Sequence, residues 1–194
     1  MSSHFYSMLS RMKYIERWAL MRNTQRENLS EHSLEVAFIA HALCIIKNRR
    51  LGGNVNPEKA AVVAMFHDTT EILTGDLPTP IKYYSDDIHS VYKKIESVAG
   101  EQLCDMLPPD LRSDFLEIYN CDDEEINKIV KAADKISALI KCVSELGVSN
   151  QEFAVAEKST RKTIKDMNLP EADIFLEEFL ESFSLPLDDM TLKK

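Results

Sequence analysis

PEKAAVVAMFHDTTEILTGDLPTP, residues 57–80, joins an apolar helical run to a polar end. Asn56 followed by Pro57 is a helix start, with Asn as N-cap and Pro at the first helical position. Ala60, Val63, Ala64 and Phe66 then supply a core-facing surface. On a continued helix His67 and Glu71 stand i,i+4, and Asp68 and Glu71 stand i,i+3, so the three groups would be neighbours. Gly75 is expected to stop the helix, and TGDLPTP to carry Asp76 back over its end. An imidazole and two or three carboxylates on an apolar element are costly to bury unless they bind something. A divalent metal is the expected occupant.

Outward from this stretch nearly everything reads as helix. With 5 glycines and no sustained period-2 alternation, a sheet is hard to place. A first helix is expected over about 3–20, with Phe5, Met8, Leu9, Met12 and Ile15 at helical spacing, ending at Arg17-Trp18. Ser30 is the expected N-cap of a second helix that runs to Gly52-Gly53 and carries His32 in its first turn. Asp86 or Asp87 starts a fourth helix, closed by Pro108-Pro109, and LRSDFLEIYN makes a short one. Asp122 is expected to cap a long helix ending at Gly147, whose acidic first turn suits the macrodipole. Ile126, Val130, Ala133, Ser137 and Ile140 share one of its faces, with Asp134 beside them. Two more helices are expected at about 151–167 and 171–182. The expectation is an all-α bundle, a single domain over residues 1–194, with no internal repeat.

Composition narrows the functions. Charged residues make up 28% of the chain and the apolar set 44%, as in an ordinary globular protein. A net charge of −9 argues against broad binding to nucleic acid or anionic membrane, which needs a basic surface. A small anion held by a metal and an arginine is still compatible with it. The longest uncharged apolar run, VAFIAHALCII at 36–46, is 11 residues, short of a bilayer span. MSSHFYSMLSRMK lacks a signal-peptide core. Cys44, Cys104, Cys121 and Cys142 show no CxxC spacing and read as free thiols, so a cytoplasmic location is expected.

Four residues from three helices are candidate metal ligands: His32, His67, Asp68 and Asp134. His32 and His67 are 35 residues apart, and Asp68 and Asp134 are 66 apart, far beyond zinc-finger spacing. Such separations fit ligands projecting from facing helices of a bundle. Two imidazoles and two carboxylates suit a borderline divalent ion with positions left open. Singly, each residue also fits a duller role as a cap or a satisfied core group. Glu71 and Asp76 could be a solvated helix end and a turn residue, but beside a metal they are the carboxylates a hydrolase needs for proton transfer. Arg17-Trp18 could be core packing, or a guanidinium for phosphate beside an aromatic wall. His4, His41 and His89 are assigned to packing or surface.

The pattern His32, His67-Asp68, Asp134 resembles the signature of HD-domain metal-dependent phosphohydrolases. RWALMRNTQRENLSEHS, HDTTEILTGDLPTPIKY and KAADKISALIKC narrow the likeness to the bacterial 5′-deoxynucleotidases of that superfamily, in the same order over about His4 to Asp188. The resemblance implies an all-helical homodimer that removes phosphate from 2′-deoxyribonucleoside 5′-monophosphates, with little base preference and with selection against ribose. It implies a divalent metal, cobalt, manganese or copper, with zinc as an alternative. By motif, His32, His67, Asp68 and Asp134 would bind the metal, and Glu71 and Asp76 would be the acid/base pair. Arg17 would hold the phosphate and Trp18 would pack near the sugar 2′ position. Asp76, Thr79 and Lys82 would add substrate contacts.

Two rivals are weighed beside it. Hydrolysis of a triphosphate, cyclic dinucleotide or alarmone would demand more positive charge than this acidic chain offers near the motif. A non-catalytic metal or nucleotide sensor would have no use for Glu71 and Asp76.

Overall fold

Pro57 opens a helix as its context dictates: Asn56 Oδ1 accepts from Lys59 N at 2.9 Å, and the helix runs Pro57–Phe66. The computed structural model describes residues 2–78, 81 and 84–190. Its helices are α1 (Phe5–Leu9), α2 (Leu29–Arg50), α3 (Pro57–Phe66), α4 (Glu71–Thr74), α5 (Asp86–Cys104), α6 (Arg112–Tyr119), α7 (Glu124–Gly147), α8 (Ala154–Asp166) and α9 (Pro170–Phe179). Among the described residues there is no strand, only one antiparallel bridge between Glu16 and Asn28. The all-α expectation holds.

Several boundaries differ from the sequence reading, each for a local reason. The first helix is α1 followed by a 3-10 turn, Ser10–Tyr14. It does not reach 20 because the next backbone is taken by another segment: Arg17 N donates to Glu27 O at 2.9 Å and Leu29 N to Ile15 O at 3.1 Å. Asn28, not Ser30, caps α2. Its side chain accepts from Ser30 N and Glu31 N, while Glu31 reaches back to Asn28 N, a reciprocal capping box. Asp123 rather than Asp122 caps α7, accepting from Glu125 N and Ile126 N. Ser85 caps α5, which ends at Cys104 instead of continuing to the prolines.

Contacts divide the chain into two compact units, each built from three segments. One comprises Met1–Met21, Arg26–Leu34 and Val62–Asp122; the other comprises Arg22–Gln25, Glu35–Ala61 and Asp123–Lys194. No single linker separates them, since the chain passes between the two at 21/22, 25/26, 34/35, 61/62 and 122/123.

The first unit is centred on Phe5, Leu103 and Leu107, packed by Met8, Leu9, Phe66, Met106, Phe115 and Tyr119. Phe115 meets Phe5 and Phe66 edge-on, with centroids 4.9 and 5.8 Å apart. Gly100 on α5 lets Tyr119 approach: an added Cβ would lie 3.3 Å from the Tyr119 ring. The second unit is centred on α7, packed by α8 and α9. The face expected from its periodicity, Ile126, Val130, Ala133, Ser137 and Ile140, is buried. Helix α2 has the length and apolar composition to cross a bilayer, but Val36, Ile39, Ala40, Leu43 and Cys44 are buried in the fold, as in a core helix. All four cysteines are free, and burial pushes the Cys44 thiol up to about 11.

A buried carboxylate anchors the short segment Arg22–Gln25 within the second unit. Glu145 is 1% exposed and accepts from Thr24 N, the Thr24 hydroxyl, Gln25 N, Lys141 Nζ and Asn150 Nδ2. Burial alone would raise its pKa, but the bonds from Lys141, Thr24 and Asn150 outweigh burial and hold it below the ordinary 4.5. A depressed pKa contributes stability that is present above the unfolded value and lost as pH falls towards the folded one. Glu145→Gln, which strands the Lys141 charge, is expected to cost about 3–5 kcal/mol at pH 7. The gap from the native chain should shrink below pH 4.5. Urea unfolding at pH 7 and near pH 3 checks this; an equal gap at both would mean that the charge is not what holds the segment.

Candidate metal centre

Helix α3 stops at Phe66 because side chains capture the carbonyls that would extend it. The Thr69 hydroxyl donates to Phe66 O at 2.8 Å, and His67 Nδ1 lies 2.7 Å from Ala64 O. Backbone N–H groups of His67, Thr69 and Glu71 then reach back three residues, to Ala64, Phe66 and Asp68. Local side-chain bonds of this kind compete with the helical ladder. The expected continuous helix is therefore interrupted over residues 67–70, and α4 begins afresh at Glu71. Thr69 and Thr70 are buried: Thr69 Oγ1 also meets Tyr119 Oη at 2.8 Å, and Thr70 packs near Gly100.

This turn presents His67 and Asp68 to His32, which the Asn28 cap places in the first turn of α2. Asp68 Oδ2 lies 3.2 Å from His67 Nε2 and 3.5 Å from His32 Nε2. One ligand atom from each of the three residues falls within 4.8 Å of the others. Nitrogen and carboxylate ligands about 2.1 Å from a tetrahedral zinc-like ion stand roughly 3.4 Å apart. The two separations from Asp68 to the histidines match that spacing. His67 Nδ1, held against a carbonyl, carries the ring proton and leaves Nε2 as the electron-pair donor. Burial works to raise the Asp68 pKa, but the neighbouring His67 and His32 imidazoles outweigh it and hold the carboxyl well below the usual carboxylate range. The carboxylate is anionic and suited to a cation.

Arg17 borders the triangle. Its Nε donates to Glu27 Oε1 at 2.8 Å, and Nη1 lies 3.4 Å from Asp68 Oδ2. Trp18 is half-buried with φ 56°, a left-handed conformation that costs a bulky residue about 1–3 kcal/mol. Glu71 is 3% exposed at the start of α4, and Asp76 follows Gly75, whose φ of 74° ends that helix. Both belong to the same unit as the triangle. Asp134 is carried by α7 in the other unit, where its carboxylate accepts from Lys135 Nζ at 3.0 Å. Thr79 and Lys82 lie outside the described residues. His4 and His41 are exposed.

A family model described as 5′-deoxynucleotidase YfbR-like matches residues 4–183. The chain belongs to the YfbR-like 5′-deoxynucleotidase family. A 5′-deoxynucleotidase of Vibrio cholerae is 51% identical over 191 residues, covering 97% of this chain and 98% of that one. One of Yersinia pestis is 51% identical over 193 residues, covering 98% of each. Among solved structures, an HD-domain phosphohydrolase of Listeria innocua superposes with a TM-score of 0.80 at 22% identity, covering 93% of this chain and 88% of that one. The HD phosphohydrolase of cyanophage S-2L, bound to dA and one catalytic Zn2+, gives 0.65 at 18%, covering 92% and 95%. At those identities the two structures establish the fold, an HD-domain helical one.

In this YfbR-like chain, sequence reasoning missed two residues at the site. Glu27 stands in the quoted stretch RENLSEHS, but its contact with Arg17 and His32 depends on pairing between residues 15–17 and 27–29, which has no periodic signature. Thr69 carried a weak signal, a Thr placed to bond the carbonyl three residues earlier. Thr69→Val removes its hydroxyl from both Phe66 O and Tyr119 Oη and is expected to cost about 1–3 kcal/mol. Denaturant unfolding measures this, and an unchanged midpoint would contradict the role given to the hydroxyl in holding the turn.

Proposed function

We propose that this chain hydrolyses 2′-deoxyribonucleoside 5′-monophosphates to deoxynucleoside and phosphate, with a divalent metal, selecting deoxyribose over ribose with little base preference. The observation that carries the reading is the His32–His67–Asp68 triangle with Arg17 at its border, in a chain of the 5′-deoxynucleotidase family. His32, His67 and Asp68 are the ligands the geometry supports, and Asp134 is proposed as the fourth from the motif alone. Cobalt, manganese or copper is the proposed metal, with zinc as the alternative. Bound there, such an ion lowers the pKa of a coordinated water and polarises a phosphoryl oxygen.

The protein groups divide the remaining work. Arg17 binds the phosphate through the guanidinium edge that faces Asp68, and balances charge that builds on the phosphoryl oxygens. Glu71 and Asp76 take a proton from the attacking water and return one to the departing 5′ oxygen. Trp18, fixed in its left-handed backbone conformation, walls the sugar 2′ position, so that a ribose hydroxyl meets steric conflict and loses its hydration. Thr79 and Lys82 are further proposed substrate contacts. We place the enzyme in the cytoplasm, where its four free cysteines suit a reducing medium, and propose a homodimer.

The test is phosphate release from dAMP and AMP side by side, after EDTA and again after cobalt or manganese. Metal-restored release from dAMP alone is expected. Silence on both with metal bound would overturn the substrate class and point to a triphosphate or to a sensor. Glu71→Ala should keep its metal and lose about 10²–10⁴-fold in turnover; an undiminished rate removes Glu71 from the scheme. Trp18→Ala should narrow the deoxy/ribo preference by about 1–3 kcal/mol, and an unchanged ratio returns Trp18 to the core.

A further inference from the structure

One carboxylate oxygen outside the expected site faces two of its members. Glu27 Oε1 lies 2.8 Å from Arg17 Nε and 3.4 Å from His32 Nδ1. The His32 side chain is fully buried, and those of Arg17 and Glu27 are 12% and 15% exposed, so these charges meet largely shielded from solvent. Glu27 itself is held from both sides. Its carbonyl accepts from Arg17 N, and the next residue, Asn28, bridges to Glu16 and caps α2.

We propose that Glu27 is the positioning residue of the metal centre, fixing the His32 ring and the Arg17 guanidinium together. A carboxylate at His32 Nδ1 favours the tautomer with the proton on that nitrogen, which leaves Nε2, the atom that faces Asp68, as the electron-pair donor. A carbonyl, Ala64 O, plays the same part for His67. Each imidazole of the triangle thus has its outer nitrogen against an oxygen, the arrangement that orients ligating histidines and raises their basicity. The same oxygen draws Arg17 Nε inward and aims its other edge at Asp68. Metal affinity and phosphate affinity therefore share one support, and losing Glu27 weakens both while leaving the reacting groups in place. A carboxylate that merely balanced the Arg17 charge would have no effect on metal binding.

The inference rests on the proposed ligand set, so the experiment separates the two. Binding of Mn2+ alone is titrated calorimetrically, without nucleotide, to the full chain and to its Glu27→Ala, Glu27→Gln and His67→Ala variants. Steady-state constants for dAMP are measured at saturating metal. Glu27→Ala is expected to bind Mn2+ about 10–100-fold more weakly. Its KM for dAMP should rise and its kcat fall, because Arg17 both binds the phosphate and balances the charge that builds on it. Glu27→Gln keeps the shape and an acceptor oxygen, and should recover part of the metal affinity. If Glu27→Ala does not fold, Glu27→Gln decides alone, with a weaker Mn2+ affinity than the native chain expected. Native Mn2+ affinity in the folded Glu27 variants, with none in His67→Ala, overturns the role of Glu27 and leaves the ligand set standing. Native affinity in His67→Ala overturns the ligand set and this inference with it.

Discussion

Asp68 Oδ2 faces His32 Nε2, His67 Nε2 and Arg17 Nη1, all within 3.5 Å. Three nitrogen-bearing groups converge on this one oxygen, and the local backbone sets where each of them stands. Three separate devices enforce it: the Asn28 capping box sets His32, the turn after α3 sets His67 and Asp68, and the 15–17/27–29 pairing sets Arg17. Each lies in the same unit of the structure. A divalent ion bound at this point would be held by the two imidazoles and the Asp68 carboxylate.

In the second unit two buried carboxylates show the same physics in a structural part. Glu145 is a buried carboxylate whose bonding capacity is taken up by Thr24, Gln25, Lys141 and Asn150, so it stabilises a chain segment and offers nothing to a ligand. Lys47 likewise bridges Glu125 and the buried Glu171 at 2.9 and 3.0 Å. Buried charge alone therefore does not mark a functional site in this molecule. The His32–His67–Asp68 group differs because its electron-pair donors converge on one small volume, with their outer nitrogens facing oxygens elsewhere.

Much of this was legible in the sequence, because helices announce themselves through caps and period. Asn56-Pro57, Gly75 and the buried face of α7 follow from rules that act over a few residues. Of the four residues expected as ligands, His32, His67 and Asp68 come together in the structure, and their signal was polar groups at the end of an apolar helix. What escaped depends on partners distant in the chain. Arg17 and Trp18 lie outside any helix because Glu27 and Leu29 claim the neighbouring backbone, and nothing in the first segment encodes that. At the break after Phe66 a threonine hydroxyl takes the carbonyl that would have continued the helix. Glu27 and Glu145 read as ordinary acidic residues until folding surrounds them with donors.

The central claim is that His32, His67 and Asp68 hold one divalent ion. The most direct measurement is the metal content of the native chain and of Asp68→Ala after equilibrium dialysis against Mn2+ or Co2+, with both shown folded by circular dichroism. One equivalent per native chain and none in Asp68→Ala is the predicted result. A full equivalent retained by Asp68→Ala would contradict it, and the triangle would then be an ion-paired structural element with the metal, if any, bound elsewhere.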